Sequence, residues 1–206
     1  MAITDTYATV DDYKLIAGNK NSDKDLIIDL SLQSASRFIE RICRRTFNVD
    51  SVPTTRYYDG KYSTRFVLYD DISSTTGLIV TVDNDNNHIP ETALTLNTHY
   101  FVEYNTMGGE TEPIKWLQLI PSNGLLETWP SHIHSLAITA YFGWAAVPAP
   151  IKSATIIIAR QILDLSESGV LQSLNLVDAA LPIQRRTANL VDLLIDQYKR
   201  RASLVI

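Results

Sequence analysis

A single cysteine in 206 residues excludes an internal disulfide. Cys43 falls beside Ile39 and Ile42 in a helical pattern, so it reads as a small buried apolar residue. Long apolar runs are also missing. None approaches the roughly 20 residues a membrane-spanning helix needs, so no membrane partner is expected. The opening MAITDTYATVDD has neither the basic start nor the apolar core of a secretory signal. Excess positive charge is absent as well. Asp and Glu number 23 against 18 Lys and Arg, a net charge of −5, which disfavours tight non-specific binding to nucleic acid. A local basic patch remains compatible with that balance.

Chemical motifs are just as scarce. There is no G-x-S-x-G elbow, and Gly108-Gly109-Glu110 lacks the spacing of a phosphate loop and reads as a turn. Asp83, Asp85 and Asn87 open like a calcium loop, but His88 stands where glycine is needed and Leu94 where the bidentate glutamate belongs. They read as a solvated hairpin tip. His132 and His134, two apart at a strand start, could share a face, yet a zinc site needs more ligands, no cysteine cluster supplies them, and His88 and His99 would join only if the fold brought them near. Scattered carboxylates give no acid–base pair. No catalytic residue, cofactor or metal is therefore expected, and the chain does not read as an enzyme.

What is present is a clear succession of periods. A helix is expected over 9–17, with Thr9 and Asp12 resembling a capping box and Gly18-Asn19 a stop. A second is expected from the Ser22/Asp25 pair onward, with Ile28, Leu32, Ala35, Ile39, Ile42 and Thr46 on its apolar face. Arg37, Arg41, Arg44 and Arg45 crowd its end. The helix dipole favours cations there, and Glu40 can pair with Arg37 or Arg44; the alternative is a basic face for an acidic partner. Strands are expected near 56–59, 65–69, 78–83, 94–96, 100–104, 116–120 and 133–142, a set that suits a small sandwich or barrel. Tyr57, Tyr58, Tyr62, Tyr69, Tyr100 and Tyr104 enrich this region in aromatics. Only Arg56, Lys61, Arg65 and Lys115 accompany them, so sheet packing and interface contact are favoured over base stacking.

At 136–160 period two gives way to period 3.6. Gly143-Trp144 and the prolines Pro148 and Pro150 stop the strand, and Ile151, Ala154, Ile158, Ile162 and Leu165 open a helix expected over 150–167. That helix is apolar almost all round, which calls for burial in its own core or between subunits. Residues 170–186 have no period, and a last helix is expected over 187–202 with Val191, Leu194, Ile195 and Tyr198 on one side. The fold class that follows is α+β: a core of about four helices with an inserted small antiparallel β domain. Its parts are 1–53, 54–145 and 146–206.

The order of four blocks is itself distinctive. They are A-S-x-F-I-E-x-x-C-x-R-x-F at 35–47, R-Y-Y-D-G at 56–60, I-T-A-Y-F-G-W followed by V-P and I-K-x-A within 138–154, and L-L-I-D-Q-Y-K-R-R at 193–201. In this order they resemble the tailed-bacteriophage head–tail connector proteins, also called adaptor or head-completion proteins, in a longer version with inserted strands. The resemblance implies a structural virion protein of the neck, assembled in the host cytoplasm. It further implies a ring, usually dodecameric, beneath the portal protein, which extends the channel DNA passes through without tight specific binding. That ring offers a platform for the next head-completion or tail protein. Partner contacts are then expected at Arg37, Arg41, Arg44, Arg45, Arg185, Arg186, Tyr198, Lys199, Arg200, Arg201, Leu204 and Ile206. Adaptors of this kind often hold the portal by the C-terminal segment, here 184–206. The alternatives are an OB-like nucleic-acid or carbohydrate binding module, or another phage tail-completion protein.

Overall fold

The computed structural model of the chain describes residues 6–18, 22–107, 110–121, 125–167 and 185–200. Two compact units emerge, one from Met1–Phe47 with Val147–Ile206 and one from Asn48–Ala146. Among the described residues they hold four α-helices and two antiparallel sheets, an α+β fold.

The helical unit begins with α1, Val10–Ala17. Thr9 caps it as its spacing suggests: its hydroxyl accepts from the Asp12 N–H, and the Asp12 carboxylate accepts from the Thr9 N–H. Helix α2, Asp25–Cys43, starts without a side-chain cap. The expected Ser22/Asp25 box does not form. The Asp25 N–H donates to the Ser22 backbone carbonyl, and the Asp25 carboxylate turns to Lys14 Nζ at 2.5 Å. Arg44 ends α2 in the left-handed region, φ 54°, so Thr46 leaves the helical register. The buried seam of α2 is Ile28, Leu32, Ala35, Ile39 and Cys43, continued by Phe47; Ile42 is half-buried.

Helix α3, Ala149–Glu167, packs against α2. Its apolar girth is absorbed within this unit, where Ile151, Ala154, Ile156, Ile158, Ala159 and Leu163 are buried. Helix α4, Arg185–Ile195, packs on α3 and tightens into a 3-10 turn over Asp196–Tyr198. The expected continuation to residue 202 therefore stops at Ile195. Tyr198 is drawn inward against Phe47, ring centroids 5.8 Å apart, and the chain leaves helical geometry at Lys199. Of the unpatterned 170–186 stretch, Arg185 and Arg186 belong to α4, and the rest, like the Gly108-Gly109 turn, lies outside the described residues.

The β unit contains all seven expected strands: β1 Thr54–Tyr58, β2 Arg65–Ile72, β3 Ile79–Val82, β4 Thr92–Leu94, β5 Tyr100–Met107, β6 Glu110–Leu119 and β7 Leu136–Ala140. They form two sheets, β1-β7-β3-β4 and β2-β6-β5. Alternation along β2 and β3 sends one set of side chains inward, whereas β7 is buried along nearly its whole length. Phe66, Leu68, Ile72, Val80, Val82, Leu117, Leu136 and Ile138 meet around Trp129 in one core. Trp129 is fully buried and its indole N–H donates to the Thr64 carbonyl. After β7 the chain is stitched down by the Asp50 N–H to the Phe142 carbonyl and by the Gly143 N–H to the Asp71 carbonyl. Arg56 lies over the Phe142 ring at 3.9 Å and pairs with Asp70 at 3.0 Å.

Candidate functional site

Four features of the surface and loops are candidates for function. The first is a basic corner of the helical unit. The Arg200 backbone N–H donates to the Cys43 carbonyl at 2.9 Å, which brings the end of the described chain beside the C-terminus of α2. Arg41 and Arg44 are exposed there, and Arg45 and Arg200 are half-buried. Burial pushes the Cys43 thiol up to about 11, and the nearby Arg45 and Lys199 cations oppose that rise. Burial works against the Lys199 charge too, but hydrogen bonds to Asp192 and Asp196, at 3.3 and 3.4 Å, raise its pKa.

The residues expected at a partner interface divide clearly. Arg37 is engaged internally, 3.0 Å from Glu40 and over the Tyr7 ring at 6.0 Å. Tyr198 is buried between its own helices, with 5% of its surface exposed, so its ring packs the core. Arg41 and Arg44 have no ion-pair partner among the described residues and face solvent. Arg185 and Arg186 open α4. Arg201, Leu204 and Ile206 lie outside the described residues.

The second feature is apolar. Leu26, Ile27 and Leu30 are exposed on adjoining turns of α2, at 74%, 50% and 54%. The Lys14–Asp25 bridge ties the end of α1, with exposed Leu15 and Ile16, to the start of α2. Sequence periodicity missed this face, because Leu26, Ile27 and Leu30 fall outside the apolar stripe at helical spacing that marks α2. A second solvent-facing apolar strip, Val67, Tyr69 and Phe101, lies on the outer face of β2-β6-β5. There Arg65 stacks on Trp116 at 5.0 Å and approaches Glu103 at 3.7 Å, and the Trp116 indole N–H donates to Glu103. The tyrosines split between two uses: Tyr58 and Tyr100 are core, and Tyr57, Tyr62 and Tyr69 are exposed.

The third feature is the β3–β4 loop. Asp83 is wholly buried, which corrects the expectation of a solvated tip at that residue, while Asp85 and Asn87 are exposed as expected. Its carboxylate accepts the backbone N–H groups of Asp85, Asn86 and His88 at 3.0, 2.8 and 2.6 Å, and His132 Nε2 at 2.8 Å. Burial pushes this carboxyl up, but the donors from His88, His132 and Asn86 outweigh it and hold it at about 2. Ligand oxygens of Asp83, Asp85 and Glu91 lie within 4.8 Å of one another. Both Asp83 oxygens are already committed to the loop, and Asp85 accepts from Asn87.

The fourth is the histidine set: the fold brings His88 and His132 together, ring centroids 5.9 Å apart, and gives His134 and His99 other partners. His132 turns to Asp83, and the His134 ring lies 5.4 Å from Tyr57; β7 begins only at Leu136, so the two share no strand face. His88 Nδ1 donates to the Ile133 carbonyl, and His99 Nδ1 accepts from the Thr95 N–H. Among the described residues no helix is long and apolar enough to cross a membrane.

No family model and no curated protein matches the sequence. Eight solved chains match, among them two from gene transfer agent particles. One is a chain from the neck of an empty gene transfer agent particle, computed with C6 symmetry. It is 14% identical with TM-score 0.56, and the match covers 97% of this chain and 93% of that one. The other is a chain from the virion of a native gene transfer agent particle, 17% identical with TM-score 0.54, covering 99% and 96%. The chain shares their fold along nearly its whole length, helical unit and β unit alike.

Proposed function

We propose that this chain is a structural protein of a phage-like neck: a head–tail connector that assembles as a ring beneath a portal protein. In this role it extends the DNA channel and presents a platform for the next neck or tail protein. The observation that carries the reading is the near-full-length fold match to a neck chain, in which the β unit is matched together with the helices. Three features support it. The four sequence blocks stand in the order of connector proteins. The net charge of −5 suits a protein that must let DNA pass without gripping it. The exposed Leu15, Ile16, Leu26, Ile27 and Leu30 supply apolar surface of the kind that protein partners cover. Its work is then assembly rather than catalysis.

The test is to purify the chain alone and with the portal protein of the same particle, and to measure mass and symmetry by native mass spectrometry and cryo-electron microscopy. A ring seated on the portal is expected. A chain that stays monomeric and ignores the portal overturns the reading. Within it, residues 184–206 are the portal-holding segment, so truncation after Thr187 is expected to abolish portal binding; an intact complex would reject that assignment.

A further inference from the structure

The net charge of −5 conceals a polarised molecule. Residues 48–146 carry 11 carboxylates against 4 Lys and Arg, a net −7 with histidine neutral. The helical unit carries 12 against 14, a net +2, and the two account for the whole-chain value. Within the helical unit the fold gathers positive charge further. Arg45 and Lys199 lie near the Cys43 thiol, where the Arg200 N–H meets the Cys43 carbonyl, and Arg41 and Arg44 are exposed on the last turn and at the cap of the same helix.

We propose that this separation of charge directs self-assembly: the corner led by Arg41 and Arg44 of one copy docks on the acidic β unit of the next. The inference rests on the ring reading above and names the contact that would build the ring. A ring needs a head-to-tail contact, in which two different patches of one chain are complementary. Pairing basic corner with basic corner, or β unit with β unit, is repulsive, so the charge pattern disfavours like-with-like contacts. A nucleic-acid partner fits less well. Asp192, Asp196 and Glu40 stand in or beside the same corner and would oppose a polyanion, whereas a protein face can present carboxylates between them. Arg41 and Arg44 are the two cations of the corner that face solvent without an ion-pair partner among the described residues.

The test uses the full chain. An Arg41→Lys, Arg44→Lys variant keeps the charge and adds amines that a carbodiimide joins to carboxylates at zero length. A mixture of nitrogen-15-labelled and unlabelled chains then identifies links between copies. The expected result is mixed-isotope links from positions 41 and 44 to carboxylates within 48–146, lost at high salt. An Arg41→Glu, Arg44→Glu variant should lose self-association and keep its unfolding temperature. Links confined to the helical unit would overturn the proposal, as would assembly indifferent to salt and to charge reversal. So would tight, salt-sensitive binding of a short DNA duplex that the reversal abolishes, since the corner would then serve phosphate. Assemblies that stop at two copies through the same links would uphold the charge contact and reject the ring. Chains that never associate would reject both.

Discussion

Gly143 shows how much one residue carries. Its φ is +108°, and a Cβ there would lie 1.9 Å from the Asn48 carbonyl oxygen. Neither the backbone nor that oxygen can move cheaply, because the neighbouring Asp50 N–H and Gly143 N–H are both bonded across this seam. Gly143→Ala should therefore cost at least about 2 kcal/mol, by overpacking and left-handed strain together, read as a lower urea midpoint. Gly60 explains the end of its sequence block in the same way, since a Cβ there would meet the Pro130 carbonyl oxygen at 2.0 Å. Asp83 makes a second residue-scale prediction. Its folded pKa of about 2 lies below the roughly 3.9 of an unfolded aspartate. Between those values the unfolded chain binds more protons, so the stabilisation is complete above about pH 4 and is lost as pH falls through 2. Asp83→Asn should lower stability at neutral pH, because an amide donor then faces donors. It should also remove this acid limb from a plot of urea midpoint against pH.

Elements were the most legible level. The change from period two to period 3.6 at 136–160 marks the passage from β7 to α3, and the seven Val/Ile/Tyr-rich runs became seven strands. Errors concentrated at ends, where tertiary partners compete with local preference. Arg44 takes the left-handed cap that sends Phe47 into the core, and the ring of Tyr198 cuts α4 short to reach it. That last contact is testable. Tyr198→Ala removes a buried aromatic and should cost about 3 kcal/mol. Because Tyr198 and Arg200 cover the end of α2, the same change should speed reaction of Cys43 with a thiol reagent. Unchanged labelling would mean that the 3-10 turn docks without its tyrosine.

At the scale of the whole molecule, the surface matters more than the core. Leu26 and Leu30 are exposed on α2 and make no contribution to the buried seam. Leu26→Ser with Leu30→Ser should leave the unfolding temperature within a degree or two, since exposed positions usually shift stability by less than about 0.5 kcal/mol. The same pair should weaken assembly with portal or with further copies, measured by sedimentation. A large loss of stability instead would mean that this face packs within the chain.

Hydrophobic period with glycine and proline punctuation determined, from sequence alone, an α+β chain of helices and short strands. These are local properties, set within a turn of helix or along one strand. Tertiary structure alone decided that Asp83 is a buried organiser rather than a solvated tip, that Tyr198 packs into the core against Phe47, and that Arg200 joins Cys43 to make a basic corner. The physical reason is common to all three. Each depends on a partner or on packing brought to it by the fold, and neither periodicity nor composition records which side chains meet.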